Sequence, residues 1–342
     1  MGFEYSRRDF LAGVLATGTL AAVGTYFTPG GRPEPSVTLR FVTGRDHTGG
    51  RDLLIAQWNR ANPRTRVEVD ELTGSTVDQR DAMISRVTSG AADVLNLDII
   101  NIPYFASQGH IEPLELHDVD EFLPSTLLAG KIGDSAAAGH WAAPFNTDVG
   151  MLFTRVGPDA AAADPGEPTL AAVIDGLAPD GSRQFAGQLR PLSSSSDEAF
   201  AVNIMEHALS RDENILQGDD SMPARELEAW QHALEPLRVA IGAERVLLCD
   251  SEEDTRDRFR TDGPTYMRNW PVKYRELQQL NDPDVARARI RVGPLPVGIL
   301  GGQSLAVART SGQASRAIDF IHYLTSVEAQ KVLASYGIAP TR

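Results

Sequence analysis

The sequence predicts an α/β protein built as two lobes. From residue 37 to residue 99, short apolar runs with strand character alternate with amphipathic helical ones, the order that produces parallel sheet flanked by helices. The chain has 342 residues and 42% of them are hydrophobic, more than one ordinary core takes up and suited to two. Residues 292–336 return to the same pattern, with an apolar strand followed by two helices.

The elements follow in order. Val37-Thr38-Leu39-Arg40-Phe41-Val42 alternates as a strand. A loop at 43–50 leads to a helix with Leu53, Leu54 and Trp58 on one side, ended by Pro63. Val67 to Leu72 is the second strand. A helix runs from about Thr76 to Ser89, stops at Gly90, and leads to a third strand, Asp93 to Ile99. In such sheets ligands sit off the carboxyl ends of the strands, which draws attention to the 43–50 loop, Asn96 and Asp98. The middle of the chain is broken by Pro/Gly/Ser-rich stretches, with helical patterns at 198–210 and 223–241. Near the end, Gly298 to Ala308 reads as a loop entering a strand. Ile318, Ile321 and Leu324 mark an amphipathic helix. Thr325 and Glu328 have the spacing of a capping box for a last helix that stops at Gly337.

Composition excludes several classes of function. The net charge is −14, and residues 1–36 sum to zero, so the whole acidic excess lies in the body, which would repel phosphate backbones and anionic lipid. No nucleic-acid partner is expected. The single cysteine, Cys249, permits no intramolecular disulfide and reads as a core residue. The seven histidines show no metal-ligand spacing, and no Ser/His/Asp motif or phosphate loop appears. No catalysis, metal or cofactor is expected. Among so many acids, chance carboxylate pairs are no sign of a glycosidase.

Ser6-Arg7-Arg8-Asp9-Phe10-Leu11 precedes an apolar run to Phe27 that is diluted by Gly and Thr. An arginine pair before Phe-Leu reads as a twin-arginine export signal over residues 1–28; a short membrane anchor is the other reading. Leu20-Ala21-Ala22 offers no clean cleavage site, so an uncleaved signal would tether the chain. Residues 29–36 read as a linker.

Several blocks, in order, resemble the extracellular solute-binding proteins of carbohydrate ABC importers. They are Phe41-Val42-Thr43-Gly44 with Trp58-Asn59 and Asn62-Pro63; Ala92 to Asp98 with Gly109 to Leu114; and Ala143-Pro144-Phe145-Asn146-Thr147-Asp148-Val149-Gly150. Glu252-Glu253 with Tyr266 to Pro271, Gly301 to Val307 with Ala317 to Ile321, and Gly337 to Arg342 complete them. Within that family the blocks look like the actinobacterial branch of trehalose- and α-glucoside-binding proteins. The resemblance implies the type II periplasmic-binding-protein fold, two α/β lobes joined by a hinge with the ligand between them. Crossings are expected near 148–152, 262–267 and 305–312, which makes 37–147 plus 266–308 the first lobe and 152–262 plus 312–342 the second. It also implies capture of a sugar, an oligosaccharide or α-glucoside, outside the cell, delivery to membrane permease subunits, and a monomer; the same fold binding a non-sugar solute, or a sensory relative without a transport role, are the other readings. The chain departs from the pattern at 195–200, where relatives carry a Tyr-Glu-Gly-Leu-like segment. It departs again at Asp250, where they carry Tyr, and beyond Arg342, where they continue.

Sugars are held by planar polar side chains on their hydroxyls and an aromatic face on their C–H surface. On the resemblance, Trp270 is the expected platform, with Asn269 beside it and Asn146 and Glu253 as polar contacts; Glu252 is expected in solvent. Asp98 ends an apolar strand, where a carboxylate is costly unless it has a partner. Gly301 and Gly302 can present backbone N–H groups. Arg342 and Asp46 complete the expected ligand-binding set, and Asp148 is expected to be structural, at a crossing.

Overall fold

The computed structural model describes residues 36–74, 76–133, 139–156, 168–180, 182–190, 197–216, 224–287 and 289–342. The expected export segment and nearly all of the linker lie outside these. The chain divides into a terminal unit, residues 1–37, and a body, residues 38–342. Among the described residues no helix is long and apolar enough to cross a membrane.

Two five-stranded sheets organise the body. The first lobe opens with β1 (Val37–Gly44), α1 (Gly50–Ala61), β2 (Thr65–Leu72), α2 (Thr76–Thr88) and β3 (Val94–Asp98). It continues with α3 (Ile102–Ser107), α4 (Pro124–Gly130) and β4 (Ala143–Val149). The second contains β5 (Met151–Arg155), α5 (Leu170–Asp175), β6 (Phe185–Gly187), α6 (Asp197–Leu209), α7 (Ala224–Gly242) and β7 (Val246–Leu248). To these it adds α8 (Glu252–Asp262), β8 (Tyr266–Asn269), α9 (Val272–Gln279), α10 (Pro283–Ala286) and β9 (Ile290–Pro294). The chain then returns to the first lobe as β10 (Leu300–Val307), α11 (Ala314–Leu324) and α12 (Val327–Ser335).

The first sheet has the order β2-β1-β3-β10-β4, with β1 and β3 parallel and β10 antiparallel to both neighbours. The second has the order β7-β6-β8-β5-β9, with β5 antiparallel to β8 and β9. Each sheet is thus a parallel set closed by strands arriving from, or returning to, the other lobe.

Both faces of β1 are covered, as expected of a parallel strand between helix layers. Phe41 meets Phe320 of α11 edge-on, with ring centroids 5.6 Å apart, and Trp58 of α1 meets the same ring at 5.2 Å. On the other face, Val42, Leu95 and Leu97 pack with Met83, Val87, Ile102 and Phe105. In the second lobe Phe153, Phe259, Met267 and Leu277 form one core layer, and Cys249 is buried among them as a free thiol. Leu152, Leu170, Ile174, Phe185 and Leu237 form the other.

The lobes divide the chain differently from the expectation. The chain passes from the first sheet to the second at Gly150, between β4 and β5. The second crossing is at 295–299, between β9 and β10, and the two are stitched together by Leu295 N donating to Gly150 O (3.0 Å). Residues 266–294 pair into the second sheet, and 312–342 pack on the first lobe, where Gln330 Nε2 donates to Phe145 O. A short apolar strand reads the same in either sheet, and only its pairing register assigns it. The last helix is capped by Ser326, whose hydroxyl accepts from Ala329 N, whereas Thr325 bonds back to Ile321 O. The expected capping box at Thr325 therefore does not form.

At the start of β10 the pairing with β4 shifts register between Gln303 and Ser304, and Gly302 adopts φ 116°. A Cβ there would lie 2.3 Å from Asn146 O. Gly302→Ala should lower unfolding free energy in urea by about 2 kcal/mol or more. Gly312→Ala, with nothing within 4 Å of the new methyl, should stay within about 0.5 kcal/mol of the parent.

Candidate ligand-binding site

At the carboxyl end of β3, Asp98 lies opposite Gln303 of β10, and Gln303 lies opposite Asn146 of β4. The backbone register thus places three polar side chains in one row across the sheet. Gln303 Nε2 donates to Asp98 Oδ1 (3.0 Å), and its Oε1 accepts from Asn96 Nδ2 (2.7 Å). Asn96 Nδ2 also donates to Thr43 Oγ1 (3.1 Å), so the row is anchored back to β1. Two residues along β4, Asp148 Oδ2 accepts from Asn146 Nδ2 (3.1 Å). Asn146 Oδ1 and Asn96 Oδ1 are buried and have no hydrogen-bond partner.

The second lobe meets this row through Trp270, just beyond β8. A Cβ on Gly301 would lie 3.2 Å from Trp270 Cη2 and Cζ3 and 3.4 Å from Asp148 Cβ, so the missing side chain makes the seat for the indole edge. The Arg268 guanidinium lies 4.0 Å from the indole centroid and covers one face. Trp270 Nε1 donates to Glu252 Oε1 (3.3 Å). Glu252 opens α8 behind the Ser251 cap, a place where the helix dipole favours a carboxylate. Glu198, in the first turn of α6, hydrogen-bonds to Thr76 of α2 and so reaches across from the second lobe to the first.

Beneath the platform, Arg268 and Glu206 form a bidentate ion pair, with Nε to Oε2 at 2.6 Å and Nη2 to Oε1 at 2.9 Å, both side chains almost wholly buried. Glu206 Oε1 also accepts from Ile299 N (3.1 Å) at the second crossing. At the first crossing, a Cβ on Gly150 would strike the same carboxylate. His207 is buried beside the pair; burial and the charges of Arg268 and Arg211 push its pKa down to about 3, so it stays neutral.

The acids of the two lobes feel one another. Burial raises the Asp148 pKa, and the Asp98 charge adds to it; Arg268, the Asn146 bond and Lys273 oppose, leaving it at about 7. Glu198 is likewise raised to about 7 by burial and by Asp98 and Glu252, with the Thr76 bond opposing. Asp98 is raised by burial and by Glu252, against the bond from Gln303.

Of the expected set, Asp98, Asn146, Trp270 and Gly301 come together at this row. Gly302 lies inside the same strand pair, opposite Thr147, where the absent Cβ permits the close approach of β4. Glu253 turns to Lys273 Nζ (2.7 Å), while Glu252, expected in solvent, faces Trp270. Asn269 is fully buried; its Nδ2 donates to Glu252 O (3.0 Å) and its Oδ1 accepts from Trp270 N (2.9 Å), so it sets the platform in place. Asp46 accepts from Thr48 and from Arg51 N, closing the turn before α1. Burial works against its charge, but these bonds and Arg51 hold it below the usual carboxylate range. Arg342 lies over the Phe122 ring, 3.9 Å from guanidinium to centroid, and pairs with Glu121. Asp148, Glu198, Glu252 and Gln303 were not among the expected contacts. The Glu252-Glu253 pair was visible, but neighbouring helix positions point about 100° apart, and only the fold shows which one faces in.

Two stability measurements check this geometry. Glu206→Gln should cost about 3–5 kcal/mol, because it leaves Arg268 charged, buried and unpaired. Asp148 binds a proton in the folded state up to about pH 7, whereas unfolded aspartate has lost it well below, so ionising it weakens the fold as pH rises through that window. In parallel urea titrations, Asp148→Asn should therefore gain on the parent by about 1–4 kcal/mol between about pH 5 and about pH 8.

Comparison with known proteins agrees with this architecture. T. maritima MalE3, solved with maltose bound, superposes with a TM-score of 0.74 at 22% identity over 90% of this chain and 82% of that one. A solute-binding protein from Thermotoga lettingae bound to α-D-tagatose gives 0.73 at 19% identity over 90% and 82%. The GacH receptor of Streptomyces glaucescens, solved unliganded and with acarbose, gives 0.70 at 17% over 90% and 81%. A probable ABC transporter-binding protein of Deinococcus radiodurans is 33% identical over 115 residues, 31% of this chain and 27% of that relative. Residues 54–342 match the model of one family throughout. The fold is the two-lobed periplasmic-binding fold of maltose-binding-like proteins, and the chain belongs to the bacterial extracellular solute-binding protein family.

Proposed function

We propose that the chain is the substrate-binding component of an ABC importer, which captures a sugar or polyol outside the cell and hands it to membrane permease subunits without altering it. One observation carries the reading: Trp270 and Glu252 of one lobe face Asp98, Asn146 and Asp148 of the other. An aromatic platform opposite planar polar side chains is the chemistry that polyhydroxylated guests require. The indole face opposite Arg268 is the one we assign to the ligand. The named ligands of the structural relatives, maltose, acarbose and tagatose, lend support.

In this reading the lobes are 37–149 plus 300–342 and 151–294, hinged at Gly150 and 295–299. A guest touching both lobes stabilises the closed form over the open one, and only that difference does work. The permeases would read the closed shape, and the binding protein acts as a monomer. Residues 1–28 would serve as a twin-arginine export signal, and placement outside the cytoplasmic membrane follows from it.

A thermal-shift panel of mono- and disaccharides and polyols on the full chain tests the reading, because a guest that binds only the folded state raises its melting temperature. A positive guest should bind Trp270→Ala about 1.5–3 kcal/mol more weakly in calorimetry. Unchanged affinity in the folded variant would remove Trp270 from the site.

A further inference from the structure

We propose that the natural guest is an amine-bearing sugar or polyol, its ammonium held among Asp98, Asp148, Glu198 and Glu252. This rests on the reading of the cleft as a sugar site and narrows it.

Hydrogen-bond accounting points this way first. Several side-chain donors of the cleft serve carboxylates: one N–H of Gln303 Nε2 serves Asp98, one of Asn146 Nδ2 serves Asp148, Trp270 Nε1 serves Glu252, and Thr76 serves Glu198. Against the one N–H that the Gln303 and Asn146 amides each keep, what remains for a guest is an excess of acceptors. The unpartnered Asn146 Oδ1 is one, next to Asp148, and the second carboxylate oxygens are others. Asn96, 3% exposed, leaves a further unpartnered Oδ1 while its Nδ2 is shared between Thr43 and Gln303. A neutral sugar both donates and accepts; an ammonium only donates.

Charge points the same way. The cations that reach Asp148 are Arg268 from β8 and Lys273 from α9. Arg268 is bound bidentate to Glu206, and Lys273 is shared by Glu253 and Glu276. Glu198 faces Asp98 and Glu252 with only the Thr76 bond to offset them. Closing these four acids on a neutral guest leaves them to take up protons or to repel; an ammonium between the lobes removes both costs.

The test uses the full chain and matched pairs differing in one amine: glucosamine against glucose, galactosamine against galactose, and glucamine against sorbitol, with putrescine as an amine lacking hydroxyls. At least one amine sugar or polyol should bind about tenfold or more tighter than its neutral partner in calorimetry. Glucamine keeps its charge at these pH values as a lysine does, so its affinity should rise from about pH 5.5 to about pH 8.5 while Asp148 and Glu198 ionise. Asp148→Asn and Glu198→Gln should each erase most of the amine preference, read as the ratio of amine to neutral affinity within each pair. Neutral members binding as tightly as their amines would overturn the proposal and leave the sugar reading standing. Putrescine binding as tightly as any amine sugar would overturn the sugar reading and with it the proposal as stated. Binding of no member at millimolar concentration would count against both.

Discussion

Arg268 and Glu206 form an ion pair with almost no water contact, placed where the lobes join. Such a pair is costly to bury and gains little net stability, but it is intolerant of losing either member, and so it fixes geometry. Glu206 holds Ile299 of one crossing and leaves room only for glycine at position 150 of the other. Arg268 carries Trp270 on its face. The hinge and the platform are thereby tied to one rigid pair, and His207 is kept neutral beside it. Motion of one lobe against the other must pass through a junction whose polar groups are already committed.

The first lobe answers with a row rather than a pair. Thr43, Asn96, Gln303 and Asp98 are joined by hydrogen bonds across β1, β3 and β10, and Asn146 and Asp148 extend the row on β4. Linked amides of this kind hold one another's rotamers and leave specific lone pairs open. Two glycines make the row reachable: Gly301 admits the indole edge from the other lobe, and Gly302 lets β10 and β4 approach where their register shifts.

Put together, the proposed cleft gathers carboxylates from both lobes, Asp98 and Asp148 from one and Glu198 and Glu252 from the other. Burial raises the pKa of Asp148, Glu198 and Asp98, and neighbouring carboxylates add to it; in the proposed reading, ionisation near neutrality favours separation of the lobes and a donor-rich guest favours closure.

The sequence by itself determined the class of fold, the alternation of strands and helices in the first lobe, the burial of Cys249 and Trp58, and the blocks that carry Asp98, Asn146 and Trp270. The alternation and the burial are local matters of periodicity and residue chemistry, which a chain states directly, and the blocks were legible through their resemblance to a family. Tertiary structure alone decided which sheet takes β8 and β9, since a four- or five-residue apolar strand fits either sheet and register is a property of the pair. It also turned Glu252 rather than Glu253 toward Trp270, set Asp46 in the turn before α1 and Arg342 against Phe122 and Glu121, and brought Glu198 across from α6 to Thr76. Those choices depend on where separate elements dock, and electrostatic coupling between residues 98, 148, 198 and 252 exists only once they do.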